Sequence, residues 1–179
     1  MGRTHLRRSM ALAACLVALL ALPAAALAHD PGATGSAGPV VADLAGHPLA
    51  VAQIPAWYCH DLDAPRIHCF TSLPALEHAV ASRSTAGAIG PSATATAYVE
   101  VFTDANWQGA ALMISAPYPD LRTINWNDKI SSFKALNGLA GHFATDIYDS
   151  GRLDYFCCNQ QVLYVGDTWN DQLSSAYPG

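Results

Sequence analysis

The sequence predicts a mainly β protein, a double Greek-key sandwich preceded by a small ββα extension, and three observations lead there. After residue 97 the chain runs in short alternating apolar and polar stretches broken by turn residues. A seven-residue block recurs within that region 43 residues later. No sustained helical period appears there.

The chain has 179 residues. Arg3, Arg7 and Arg8 precede an apolar run over 10–22, then Pro23 and the small-x-small segment Ala26-Leu27-Ala28, the pattern of a signal peptide over 1–28. The run is short of the roughly 20 residues that a membrane span needs. The expected product is secreted and keeps 6 Lys and Arg against 14 Asp and Glu. Such an acidic chain lacks the basic face that nucleic acid or an anionic membrane requires, so neither is expected as a partner and cations are the natural ligands.

Residues 29–55, rich in Gly, Ala, Pro and Ser, read as a flexible leader. Residues 56–83 read as the ββα extension. Trp57-Tyr58-Cys59 and Arg66-Ile67-His68-Cys69-Phe70 are strand-like around a turn at 61–65, and Ser72 with Pro74 opens a helix carrying Leu73, Leu76 and Val80 on one side. Residues 84–97 read as a linker of small residues. The main domain spans 98–179, with strands expected near 98–102, 110–114, 130–136, 143–148, 153–158 and 162–165.

Cys15 leaves with the signal, so Cys59, Cys69, Cys157 and Cys158 are expected to form two disulfides in an oxidising compartment. Four cysteines allow three connectivities. One pairs Cys59 with Cys69 and leaves a rare adjacent bridge at 157–158. The others tie the two segments together across about 90 residues, and loop-closure entropy leans toward them.

The repeat carries the functional argument. Trp126-Asn127-Asp128-Lys129-Ile130-Ser131-Ser132 returns as Trp169-Asn170-Asp171-Gln172-Leu173-Ser174-Ser175, with five of seven positions identical. Asn-Asp followed by Ser-Ser packs side-chain oxygens into six residues, a donor set that suits calcium, a hard cation taking six to eight oxygens. Ile130 and Leu173 are the expected buried anchors of the two loops. In a single copy these residues also suit an ordinary turn; two copies at matched spacing favour the metal.

The double Asn-Asp-x-x-Ser-Ser resembles the calcium signature of the microbial βγ-crystallins, domains of paired Greek-key motifs, and Phe102 through Gly109 resembles the folded a–b hairpin of a first motif. The resemblance covers the region from Tyr98 to Tyr177, with motifs at about 98–138 and 142–177. It implies two calcium sites that each combine oxygens from both motifs. By that resemblance Asp128 and Asp171 supply side-chain oxygen, Ser131 and Ser174 hydroxyls, and Lys129 and Gln172 backbone carbonyls. Asn127 and Asn170 shape the loops, Ser132 and Ser175 complete the signature, and carbonyls of the a–b hairpins fill the shells. Tyr148-Asp149-Ser150-Gly151 in the second motif implies an abbreviated hairpin there.

Other constellations carry less. Cys59-His60 and His68-Cys69 suggest zinc, but neighbours on a strand point to opposite faces. Cys157-Cys158 lacks the Cys-x-x-Cys spacing of redox motifs. His47, His78 and His142 read as surface residues. No hydrolase elbow, phosphate loop or metalloprotease helix occurs, so no catalytic residue is assigned and the protein is not expected to be an enzyme.

The competing reading is an inhibitor of an extracellular protease. The chain also resembles the secreted actinobacterial metalloproteinase inhibitors, which share its signal peptide, two disulfides and Greek-key fold, and the segment 61–66 is the candidate inhibitory loop. A wall- or glycan-binding module using Trp57, Tyr58 and Trp107 is a third reading.

Overall fold

The computed structural model of the protein describes residues 39–86 and 96–179. The expected signal peptide, the start of the leader and most of the linker lie outside the described residues.

The first elements fall inside the segment expected as a flexible leader. Val41–Leu44 (β1) and His47–Leu49 (β2) form a hairpin, and Val51–Ala56 makes a 3-10 turn. Ala42 and Ile54 enter the core. Strands of four and three residues are too short to show a period of two, which is why the composition hid them.

Tyr58–Asp63 (β3) and Arg66–Phe70 (β4) pair antiparallel. Cys59 and Cys69 stand directly opposite and are joined by a disulfide, and Cys157 is joined to Cys158. The long-range pairing favoured by loop entropy is therefore corrected: strand register sets Cys59 opposite Cys69, and Cys157 and Cys158 are left to each other in the turn after Phe156. A loop the size of that between Cys59 and Cys69 constrains the unfolded chain by about 3 kcal/mol in the entropic model.

Leu73–Ala86 forms helix α1. Ser72 caps it, its hydroxyl accepting from the Ala75 N–H at 3.3 Å and its carbonyl from Leu76 at 3.2 Å. Pro74 sits in the first turn, where a missing N–H costs nothing. Leu76 and Val80 bury against Met113, with Leu73, Tyr58 and Tyr98 around them.

The main domain follows with Tyr98–Asp104 (β5), Gln108–Ile114 (β6), Ser132–Leu136 (β7), Gly141–Asp146 (β8), Ser150–Phe156 (β9), Gln161–Val162 (β10) and Ser175–Pro178 (β11). One sheet runs β10-β7-β5-β6-β3-β4-β1-β2 and the other β11-β8-β9. Tyr118 bridges to Ala176 in β11 and so lies at the open edge of the second sheet.

Each Greek key thus lends its third strand to the other sheet. The Tyr118 segment of the first motif joins β11, and β10 of the second motif joins β7. Neither motif can complete its sheet alone. Alternation sets the core between the sheets: Val99, Val101, Leu112, Ile114 and Phe133 from one side meet Phe143 and Phe156 from the other. Phe133 packs edge-on to Phe143 at 5.3 Å, and Phe143 lies 4.9 Å from Phe156.

The ββα unit continues the first sheet. β3 runs parallel to β6, with Cys59 beside Leu112, so it covers an edge that would otherwise present unpaired backbone groups. Asp61 stitches the junction. Its fully buried carboxylate accepts from the Ser115 N–H at 2.6 Å, the Ser115 hydroxyl at 2.8 Å and the Ala116 N–H at 3.2 Å. Among the described residues no helix is long and apolar enough to cross a membrane.

Candidate functional site

The two Asn-Asp corners are built alike. Asp128 and Asp171 adopt left-handed backbone conformations, with φ of 55° and 53°, which the short polar side chain of Asp tolerates. In each corner the preceding Asn turns its amide onto the Asp carboxylate: Asn127 donates to Asp128 Oδ2, and Asn170 to Asp171 Oδ2 at 2.8 Å. The loop-shaping role expected of the two Asn residues has this geometry. Ile130 and Leu173 are fully buried in the sandwich core, fixing each corner by its apolar middle residue.

The corners face one another. The Asp128 N–H donates to the Leu173 carbonyl at 3.0 Å, and the Asp171 N–H points at the Ile130 carbonyl at 3.4 Å. This reciprocal crossing brings the Ser174 hydroxyl within 3.4 Å of Asp128 Oδ1. Two oxygens that each lie about 2.4 Å from one calcium ion at right angles are about 3.4 Å apart, so this pair fits a shared ion. The mirror pair is arranged differently: Ser131 donates its hydroxyl to the Thr103 carbonyl at 2.8 Å rather than to Asp171. The backbone carbonyls of Lys129 and Gln172 accept no hydrogen bond among the described residues.

The final serines of the signature tie the corners to the a–b hairpins. Ser132 donates to the Asp104 carbonyl at 2.6 Å and accepts from the Trp107 N–H at 3.1 Å, and Ser175 donates to the Asp146 carbonyl at 2.9 Å. The hairpins match closely. Thr103 Oγ1 accepts from the Ala110 N–H at 3.0 Å and Thr145 Oγ1 from the Arg152 N–H at 2.9 Å. Gly109 and Gly151 take φ of 78° and 80°, and a Cβ on either would lie 2.2 or 2.4 Å from that threonine oxygen.

The abbreviated second hairpin expected from Tyr148-Asp149-Ser150-Gly151 is therefore corrected. Thr145 to Gly151 spans the same length as Thr103 to Gly109. The signal was in the sequence as a second repeat, Thr-Asp-x-x-x-x-Gly, once the threonine rather than the aromatic residue is aligned. Thr103, Asp104, Thr145 and Asp146 are the supporting residues that an aromatic-based alignment passes over.

This exchange of third strands, with a signature corner closing each motif, decides the architecture. Residues 98–179 have the βγ-crystallin fold. No protein-family model matches the chain, and no curated protein matches it. Solved βγ-crystallin structures do. A domain from Flavobacterium johnsoniae aligns at 26% identity over 45% of this chain and 92% of its own, with a TM-score of 0.41. An archaeal βγ-crystallin aligns at 26% over 46% and 96%, with 0.41. A βγ-crystallin domain from Clostridium beijerinckii aligns at 22% over 45% and 95%, also with 0.41.

The two corners of this βγ-crystallin fold differ in their surroundings. Trp126 is fully buried, whereas Trp169 is half-buried and has the Arg152 guanidinium 4.8 Å from its ring. Beside the second corner Tyr164 donates to Asp167 at 2.6 Å, which holds the phenol above its usual pKa. Among the described residues no three His, Cys, Asp or Glu side chains gather as a metal cluster. An ion at the corners would have to draw on hydroxyl and carbonyl oxygens.

The histidines of the extension take the sheet face opposite the disulfide. His60 and His68 are cross-strand neighbours with ring centroids 5.3 Å apart, while Cys59 and Cys69 enter the core. His68 lies between Asp43 at 2.7 Å and Asp63 at 3.3 Å, and Asp63 is also clasped by Arg83. His60 is buried, and burial, followed by the electrostatic influence of neighbouring His68 and Arg83, pushes its pKa down to about 4. His142 is tied to Asp149 at 2.6 Å and stacks on Tyr177 at 5.2 Å, so it is not a free surface residue. The aromatic residues of the glycan reading are held in packing: Trp57 lies against the core, Tyr58 against the helix cluster, and Trp107 donates to the Val162 carbonyl at 3.2 Å.

Proposed function

We propose that the protein is an extracellular calcium-binding protein in which the ion stiffens the double Greek key, with no catalysis of its own. The observation that carries this reading is the approach of Ser174 to Asp128 across the two motifs, supported by the reciprocal backbone crossing of the corners. Asp128 with the Ser174 hydroxyl, and by pseudo-symmetry Asp171 with the Ser131 hydroxyl, would hold two ions, with the Lys129 and Gln172 carbonyls and hairpin carbonyls as further donors. Each site has about one carboxylate, which suits the weak range of roughly 10⁻⁴–10⁻³ M found for extracellular modules. Export through the amino-terminal segment would place it where calcium reaches that range.

The test is thermal unfolding in calcium and in chelator. At tenfold saturation each site adds about 1.4 kcal/mol, and both together raise Tm by several degrees. Identical melts in the two conditions would overturn the reading.

A second reading, inhibition of an extracellular protease, is favoured by one observation. Of the segment 61–66 Asp61 is buried at the sheet junction, and the exposed part, the turn at 63–66, is braced by the Cys59–Cys69 bridge below it and by the Asp63–Arg83 ion pair beside it, a pre-organised loop of the kind a cleft can hold. Inhibition of a metalloproteinase that is unaffected by substitutions at Asp128 and Asp171 would support this reading; absence of inhibition would remove it.

A further inference from the structure

We propose that the adjacent disulfide Cys157–Cys158 is a thiol-exchange site, opened by small dithiols while Cys59–Cys69 stays closed. The two bridges occupy opposite environments. Cys59 and Cys69 are 0% and 1% exposed in the core, whereas Cys157 and Cys158 both lie exposed in the turn after β9. Exchange requires a thiolate to reach a sulfur in line with the bond, so access separates the two. A bridge between neighbouring residues also closes no chain loop, so loop entropy gives it little role as a staple.

The turn around it is held without the sulfurs. The Cys158 N–H donates to the Leu139 carbonyl at 2.8 Å, the Gln160 N–H to the Cys157 carbonyl at 2.9 Å, the Gly138 N–H to Asn159 Oδ1 at 3.0 Å, and the Ala135 N–H to the Gln160 carbonyl at 2.8 Å. These bonds hold both cysteines at the surface when the bridge opens.

The reaction balances with a dithiol as reductant. One thiolate of the dithiol bonds to the sulfur of one cysteine, the Cys157–Cys158 bond breaks, and the other cysteine leaves as a thiolate and takes up a proton. The second thiol then attacks the mixed disulfide, closing the oxidised dithiol and releasing the first cysteine. Two electrons and two protons pass to the protein. The product is a pair of neighbouring thiols, a chelate for a trivalent arsenical.

The folded, oxidised protein is treated with graded dithiothreitol, alkylated, and mapped by peptide mass spectrometry. Labelling of Cys157 and Cys158 is expected at dithiol concentrations at least ~10-fold below those that label Cys59 and Cys69. The partly reduced protein is then expected to bind phenylarsine oxide stoichiometrically, and binding is lost in Cys157→Ser with Cys158→Ser. Joint opening of the two bridges, earlier opening of Cys59–Cys69, or failure of the reduced pair to take the arsenical would overturn the proposal. The mapping uses the natural chain, so it decides even if the variant fails to fold.

Discussion

The Ser174 hydroxyl lies 3.4 Å from Asp128 Oδ1, although 46 residues separate them in the chain. One belongs to each Greek key, and they meet because each signature corner donates its Asp N–H to the apolar middle of the other. Ile130 and Leu173 are buried at that crossing, so the polar rim rests on the shared core. A ligand bound there would join the two motifs at the point where they already exchange strands.

The matched hairpins set the first prediction. Gly109→Ala and Gly151→Ala each force a Cβ against a threonine hydroxyl in a left-handed backbone, and each should cost about 1–3 kcal/mol. Urea denaturation checks it. A Gly151→Ala variant as stable as the natural protein would mean that the second hairpin is not built like the first.

Asp61 sets the second. Asp61→Ala strips the acceptor from the part-buried N–H groups of Ser115 and Ala116, and the expected loss is about 1–3 kcal/mol by chemical denaturation. The loss should come as one cooperative transition, because β3 is part of the same sheet as β6. A separate early transition of the extension would contradict the continuous sheet.

The bridges differ in what they stabilise. Cys59→Ala with Cys69→Ala should cost about 3 kcal/mol through the unfolded chain, and Cys157→Ser with Cys158→Ser far less. Thermal melts of the two variants compare them directly, and equal losses would refute the loop argument.

His60 sets a pH dependence. Its folded pKa of about 4 lies below the ordinary 6.5. Between those values the unfolded chain binds a proton that the fold refuses, so this contribution is complete above pH 6.5 and falls away as pH drops toward 4. At about 1.4 kcal/mol per pKa unit the loss is on the order of a few kcal/mol. Stability curves of the natural protein and His60→Gln should converge over this window; parallel curves would show that His60 is not the titrating group.

Much of this architecture was legible because it repeats. The paired Trp-Asn-Asp blocks located both corners, and the alternation from Tyr98 to Phe102 located β5, since identity at fixed spacing and a period of two are local signals. β1, β2 and β11 were not legible: strands of three or four residues carry too little pattern, and what stabilises them is pairing with β4, β1 and β8. The continuous sheet was hidden for the same reason, since the parallel register of Cys59 with Leu112 leaves no trace in either segment. The equal length of the second hairpin could have been read from Thr145 and Gly151, but the missing aromatic residue obscured it. The Cys59–Cys69 bridge followed strand register, which loop entropy does not see.

The central claim is that the two corners bind calcium together, and calorimetric titration of the oxidised protein tests it most directly. Calcium should give saturable heat with a Kd of roughly 10⁻⁴–10⁻³ M. Asp128→Asn with Asp171→Asn keeps residues that tolerate the left-handed turns while removing both carboxylates, and should abolish that heat without unfolding the domain. No heat from the natural protein, or the same heat from a folded double variant, would contradict the account.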